Sequence, residues 1–354
     1  MSDPKSYLDS KNRFHNNFDF LRLLGAFLVI FSHSYPIATG NANAEPLLGG
    51  LTLGSLGLMI FFVISGYLIP SSWLRKPEFS GFFKNRILRI VPGLFGVALV
   101  TIFIIGPLVT IIPVVDYFRD PLTYWYFHIV TIYYVWGSLP GVFVNNVYPD
   151  VVNGSLWILG LLFTMYIVVS ILGFMGFLKK KGITLIITIL LAASYFMYNL
   201  SYFTFSKPFF DLIYYKNLVW LLSLDLTFGT ILFMIAVLFY LYRDLIKYDA
   251  RICIFLSILW VLSFKTVLFS LVSFIAIPYV ILFIAFARIP YLNKTGKYGD
   301  FSYGLYIYAF PIQQSVSHFI PGIPVLGMFL LSSLIVIPIS IISYKFLESK
   351  ALKI

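Results

Sequence analysis

"FDFLRLLGAFLVIFSHSYPI", residues 18–37, is long and apolar enough to cross a bilayer as a helix, yet it carries Asp19, Arg22 and His33. About 20 residues at 1.5 Å each span a hydrocarbon core of roughly 30 Å. An ionisable group inside such a span is costly, so it faces a bundle interior or a cavity. Arg22 and His33 are eleven residues apart, which at about 100° per residue is three turns plus about 20°. They therefore share a face, separated by about 16 Å along the axis. Asp19 is three residues before Arg22, placed for a helical ion pair. His33 lies past the midpoint, and two readings stand side by side. It is either a packing residue satisfied by a neighbouring hydroxyl, or a neutral imidazole able to accept a proton near neutral pH.

The rest of the chain has the same character. Of its 354 residues 60% are hydrophobic and 11% charged, with a mean hydropathy of +0.92, against a charged share of roughly 25% in soluble domains. This predicts an all-α integral membrane protein forming one domain over 1–354. The net charge of +11 falls in short basic clusters between apolar runs, which excludes nucleic acid as a partner and points to membrane lipids. Cys253 is the single cysteine, so neither a disulfide nor a cysteine metal cluster is expected. The tail 1–17 is polar and has no apolar signal core.

Apolar runs place ten crossings near 19–37, 51–70, 88–112, 155–178, 183–201, 218–241, 252–264, 267–287, 301–319 and 324–344. The segment "LTYWYFHIVTIYYVW", 122–136, is short and rich in aromatics that prefer the interface. Reading it as re-entrant or interfacial, within a long outer loop 113–154, puts both termini in the cytoplasm. It also leaves only Arg119, Lys207, Lys216 and Lys265 of the 25 Lys and Arg outside. A full crossing there would put "KKK" at 179–181 on the opposite side from "RK" at 75–76. No fixed-period repeat or low-complexity tract is visible.

A second cluster lies in "FFVISGYLIPSSWLRKPEFSGFFKNRILRIVP", 61–92. Ser65 and Gly66 permit close helix approach. Arg86 and Arg89, three apart with Lys84 nearby, can turn their guanidinium groups to one site. They either bind a ligand's phosphate or anchor the chain to lipid phosphates.

The arginine and histidine with ten residues between, "FFVISGYL" at 61–68, the Arg-x-x-Arg of "NRILRIVP", "NGSLWILGLLFTMY" at 153–166 and "DFSYGLYIYAFPI" at 300–312 together resemble the acyltransferase-3 family of integral membrane O-acyltransferases. The resemblance implies transfer of an acyl group, usually acetyl from acetyl-CoA on the cytoplasmic side, to a hydroxyl of a glycan or lipid-linked sugar across a bacterial inner membrane. It implies a catalytic role for His33, a place in the donor channel for Arg22, and CoA phosphates held by Arg86 and Arg89 with Lys84 beside them. No metal is implied. Ser65 and Asn153 are candidates to support a tetrahedral oxyanion. Tyr67, Trp157, Tyr303 and Tyr306 are either pocket-wall residues for a sugar or ordinary packing. His128 and His318 are expected at the interface.

Two positions depart from the family pattern. Leu162 stands where members commonly have a glutamate five residues after the tryptophan of "SLW", and Ala309 where they often have histidine. Asp150 or Asp225 would have to replace the glutamate, or His33 works alone. The rival readings are a glycolipid transporter and a catalytically silent glycan binder. Transporters often show inverted repeats, and the Arg22 to His33 helix has no counterpart in the second half. In the family some members finish the transfer with a fused hydrolase-like domain; none follows the last helix here, so the chain is expected to act alone or with a separate periplasmic partner.

Overall fold

In a computed structural model, residues 16–134, 137–204 and 224–353 are described. Residues 1–15 of the polar tail, Trp136 and the first part of the expected 218–241 crossing lie outside them, as does the side chain of Asp225. The elements are α1 (Phe18–Thr39), a hairpin of two-residue strands β1 (Leu47–Leu48) and β2 (Leu51–Thr52), α2 (Leu53–Arg75), and α3 (Phe79–Val100). A π-turn, Thr101–Ile105, continues α3 into α4 (Gly106–Val109). Then come α5 (Val114–Arg119), α6 (Pro121–Trp125), α7 (Trp157–Phe174), α8 (Lys181–Thr204), α9 (Leu224–Leu241), α10 (Ala250–Leu262), α11 (Phe269–Phe286), α12 (Ser302–Phe319), α13 (Val325–Ser343) and α14 (Ser349–Ala351).

This is an all-α membrane protein. Six helical stretches among the described residues are long and apolar enough to cross a bilayer: α1, α2, α3 through α4, α7, α11, and α13 through α14. The segment 122–134 is no such helix. Proline at the first helical position and Asp120 capping Leu122 N–H at 2.9 Å start α6, which runs only to Trp125 before a 3₁₀ turn, Tyr126–Thr131. The expected crossing at 252–264 is also short. α10 has 13 residues with none buried, about 20 Å of helix against a core of roughly 30 Å.

The packing sorts helices by what they hide. Fourteen of the 18 residues of α12 are buried, including Gln313 and Gln314, so this helix can carry polar groups because protein surrounds it. α13 is patterned the other way. Its buried face holds Ser332, Ser333, Ser340 and Ser343, while Leu326, Leu330, Leu334 and Ile342 are exposed. Such an inside-out pattern is what a helix between protein and lipid needs, since small residues let backbones approach and lipid accepts leucine.

Register comes from close contacts. A Cβ on Gly25 would lie 2.9 Å from Gly57 O, and one on Gly54 would lie 3.1 Å from Ser32 Cβ, so α1 and α2 run antiparallel. Arg22 reaches Asp300 just before α12, His33 packs on Phe310 with ring centroids 5.4 Å apart, and Gln313 Nε2 donates to Ile30 O and Ser34 Oγ. Numbers rise together along both helices, so α1 and α12 are parallel. The same holds for α2 and α9, where Gly229 meets Phe62 and Gly66 meets the carbonyl of Phe233. α1 ends at Gly40, whose φ of +71° suits glycine and whose N–H caps Pro36 O at 2.8 Å. Its start is fixed by buried Asn17, whose amide donates to Ile284 O and Ala287 O at 2.7 and 2.8 Å at the end of α11.

Candidate functional site

Because α1 and α12 are parallel, Arg22 and His33 both face α12, at its beginning and its middle. The 20° offset along α1 requires this, and the contacts to Asp300 and Phe310 display it.

At the Arg22 end the site is an ion cluster. Arg22 Nη1 donates to Asp19 Oδ1 at 2.9 Å and to Asp300 Oδ2 at 3.2 Å, and Arg89 Nη2 donates to the same Asp300 oxygen. Ser302 Oγ donates to the other oxygen of Asp300. The Asp300 side chain is 3% exposed. Burial by itself pushes a carboxyl up, but Arg89 and Arg22 outweigh it and hold Asp300 at about 2. Glu348, also buried, accepts from Ser343 Oγ at 3.0 Å and lies close enough to Arg89 to act on it electrostatically. The expected helical pair of Asp19 with Arg22 is present.

This corrects the expectation that Arg86 and Arg89 turn to one site. Three residues on a helix diverge by about 60°, and here that divergence selects different neighbours. Arg89 goes to Asp300, whereas the Arg86 guanidinium lies over Phe82 at 4.6 Å and Tyr166 at 6.0 Å. Lys84, two residues before Arg86, is exposed.

At the His33 level the surroundings are neutral on one side and acidic on the other. Ser155 Oγ lies 3.5 Å from His33 Nδ1, at the outer limit of a hydrogen bond. Ser155 is itself built in: its carbonyl accepts from Tyr306 OH, and its N–H donates to Asn153 Oδ1 at 3.2 Å. Asn153 Nδ2 donates to Ile307 O at 2.8 Å. Asn153 therefore spends its amide on holding the 153–155 turn against α12, and Tyr306 spends its hydroxyl the same way. Trp157 and Asn153 line a cavity of about 210 Å³ with Gly137, Ser138, Asp150 and Gly154. Tyr303 donates to Ile90 O at 2.8 Å, tying α12 to α3, and Tyr67 packs against Phe18, Tyr240 and Phe286.

The acid near His33 comes from an unexpected place. Glu45, in the loop between α1 and β1, accepts from Ser32 Oγ and acts electrostatically on His33. Gly54 makes room, since a Cβ there would sit 3.3 Å from Glu45 Oε2. Leu162, at the family's glutamate position, is buried among apolar side chains. No sequence signal marked Glu45; Asp300 and Ser155 lay inside quoted motifs, beside residues that drew attention first.

Ser65 does not belong with His33. Gly54 is opposite Ser32, and Ser65 is eleven residues further along α2, about 16 Å away along the axis. It makes no hydrogen bond to any residue of the group. His318 Nδ1 donates to Asn146 Oδ1 at 3.3 Å, and His128 stacks on Trp125 with centroids 4.1 Å apart. Neither reaches the His33 group. Among the described residues no three His, Cys, Asp or Glu side chains are grouped to hold a metal ion.

Chemically, the arrangement offers a half-buried imidazole with one nitrogen against a serine, a carboxylate nearby, and a charge cluster about 16 Å away along one face. A family model described as an acyltransferase domain matches residues 15–345. An O-acetyl transferase of Shigella phage Sf6 is 27% identical over 360 residues, covering 95% of this chain and 96% of that protein. Nodulation protein 10 of Rhizobium leguminosarum bv. viciae is 41% identical over 81 residues, 23% of this chain and 22% of its own. A regulator of hypoxia-inducible factor 1 from Caenorhabditis elegans is 30% identical over 159 residues, covering 42% of this chain and 29% of that protein. No solved structure matches.

Proposed function

The chain belongs to the acyltransferase-3 family, and from that premise we propose that it transfers acetyl from acetyl-CoA to a hydroxyl of an envelope or exported glycan. Similarity to the phage O-acetyl transferase over nearly the whole of both chains supports acetyl as the group and oxygen as its acceptor. The observation that carries the mechanism is His33, an imidazole held within an apolar helix on the face that also bears Arg22. Its Nδ1 is turned to Ser155, which leaves Nε2 to accept a proton.

In the step we propose, His33 Nε2 takes the acceptor's hydroxyl proton as that oxygen bonds to the thioester carbonyl carbon. The carbon–sulfur bond then breaks, and the proton passes to the departing thiolate, giving the ester and free CoA. Glu45 steadies the imidazolium while it carries that proton. The cavity beside Trp157 and Asn153 is where an acceptor sugar would enter.

Ten crossings in a bacterial inner membrane, with both termini cytoplasmic, fit this reading, with the short α10 counted as a crossing because α9 and α11 both end at the face where α1 starts. Parallel pairing of α1 with α12, and of α2 with α9, requires an even number of steps across the membrane between the members of each pair. Counting 122–136 as a crossing would make both pairs antiparallel. Arg22 then lies on the cytoplasmic side, where the nucleotide donor is, and His33 toward the acceptor.

The test is incorporation of radiolabelled acetyl from acetyl-CoA into envelope glycan, in membranes carrying the wild type, His33→Ala, or no protein. Label that depends on the protein and vanishes with His33→Ala at equal protein level supports the mechanism. Label that survives the substitution makes His33 a packing residue. Absence of label from every fraction returns the chain to a transporter or a silent binder.

A further inference from the structure

Arg22 and Arg89 share a carboxylate, but a second group of basic side chains at the same end of the bundle has none. α2 and α9 are parallel and in close contact, with Gly66 against the Phe233 carbonyl, so a further nine residues along bring Arg75 to the level of Tyr242, next to Arg243. The Arg243 guanidinium lies over Tyr240 at 4.5 Å and donates to the Tyr240 carbonyl at 2.9 Å. Lys181 Nζ, at the start of α8, sits 5.5 Å from the Tyr242 ring. Arg86 comes in from α3 over Phe82 and Tyr166, close enough to Arg75 to feel its charge. Four cations, from α2, α3, the start of α8 and the turn after α9, thus converge at the mouth where α2 and α9 end, each but Arg75 laid on an aromatic ring.

What these groups lack points to a ligand. Among the described residues none of Arg75, Arg86, Lys181 and Arg243 has a carboxylate at salt-bridge distance. The Nε atoms of Arg86 and Arg243 are buried without a hydrogen-bond partner. The carboxylates nearby are Glu78, held by Lys76 at 2.8 Å, and Asp244, next to Arg243 in the chain. Arg86 and Arg243 are partly buried and Arg75 and Lys181 exposed at the rim; a partly buried guanidinium is costly without a counter-ion, and its fork of N–H donors matches phosphate oxygens. Aromatic faces hold the cations in place without neutralising them.

We propose that Arg75, Arg86, Arg243 and Lys181 form a cradle for the phosphate groups of the acyl-donor nucleotide, and that Arg89 is not part of it. This rests on the acetyl-CoA reading above. Arg86 is three residues beyond Arg89, which meets Arg22 at Asp300, so the cradle lies about 21 Å from His33 along the bundle. That distance is what an extended acyl-pantetheine arm has to reach. The chemistry recognised is a phosphate monoester or diphosphate, and a lipid headgroup could supply it as well as a nucleotide.

The experiment is calorimetric titration of the purified full-length chain with coenzyme A and with pantetheine, in nanodiscs of neutral lipid and of lipid containing phosphatidylglycerol. Arg75→Gln and Arg243→Gln are each expected to weaken coenzyme A about tenfold to a hundredfold, to leave pantetheine unchanged, and to do so in neutral lipid. Arg243→Lys, which keeps the charge, should restore part of the affinity and serves as the folding control alongside gel-filtration profiles. If the wild type binds coenzyme A and both Gln variants bind it equally well, the cradle is wrong while the acetyl-CoA reading stands. If the Gln variants lose affinity only where phosphatidylglycerol is present, the site is a lipid site and the proposal is overturned. If the wild type does not bind coenzyme A at all, the donor reading itself fails.

Discussion

Replacing Asp300 by asparagine removes one negative charge and keeps the shape, and the structure fixes what this costs. Asp300 is 3% exposed and takes Arg22 at 3.2 Å, Arg89 and Ser302. Breaking a buried ion pair by deleting one partner typically costs 3–5 kcal/mol. Here two features reduce that figure: Arg89 is 31% exposed and has Glu348 near it, and Arg22 keeps Asp19. The expected loss is about 2–3 kcal/mol. A second route gives the same size. Asp300 is held at about 2 against an ordinary 3.8, which corresponds to about 2 kcal/mol of stability. Because the folded value is depressed, that stability is fully present above the ordinary value and is lost as pH falls toward the folded one. Thermal unfolding of the detergent-solubilised protein, followed by tryptophan fluorescence, should therefore show the wild type losing its advantage over Asp300→Asn between about pH 4 and pH 2. A double-mutant cycle with Arg89→Gln should give a coupling of about 1–2 kcal/mol. If Asp300→Asn is as stable as wild type at pH 7, or if the two substitutions add without coupling, the ion cluster does not hold α1, α3 and α12 together as described.

Three further outcomes follow from the packing. Glu45→Gln should lower the turnover number of acetyl transfer by up to about a hundredfold with the KM for acetyl-CoA unchanged, because Glu45 lies by His33 and far from the arginines; a change confined to KM would remove it from the mechanism. Gly66→Ala puts a Cβ 2.3 Å from the Phe233 carbonyl, so it should destabilise by about 1–3 kcal/mol. Gly182→Ala, with nothing within 4 Å of its Cβ, should be neutral or slightly stabilising, and equal melting temperatures for the two would refute the parallel contact of α2 with α9. In a Cys253→Ser background, Lys180→Cys should react with an impermeant maleimide only from the cytoplasmic side; labelling from outside would mean that 122–136 crosses.

The spans were legible in the sequence where lipid does the selecting. Runs such as 53–75 and 325–343 are mostly apolar because most of their residues meet either hydrocarbon or another apolar side chain, and hydropathy reads that directly. The site was legible only along one helix. Arg22, His33 and Asp19 stand at fixed angles in α1, so their shared face could be worked out from 3.6 residues per turn. Asp300, Glu45 and Ser155 meet that face through loops and from distant positions, and nothing local in "KYGDFS" or "NANAEPLL" states which helix the acid will meet. The same limit explains Ser65, which is a small residue on the right helix at the wrong level, and Asn153, whose amide is consumed by the backbone it positions.

The arginines show why residue type and spacing were not enough. Arg86 and Arg89 form one motif in the sequence, yet the fold gives Arg89 the carboxylate of Asp300 and leaves Arg86 on aromatic rings. A guanidinium already paired with a buried carboxylate gains little from a second anion, because each oxygen of that anion must compete with an existing charge-assisted bond. One without a counter-ion gains the whole interaction. Phosphate affinity is therefore set less by how many arginines the sequence gathers than by how many the fold leaves without an acid. By that criterion Arg75, Arg86 and Arg243 are the residues proposed to bind, while Arg22 and Arg89, through Asp300, tie α1, which carries His33, to α3 and α12.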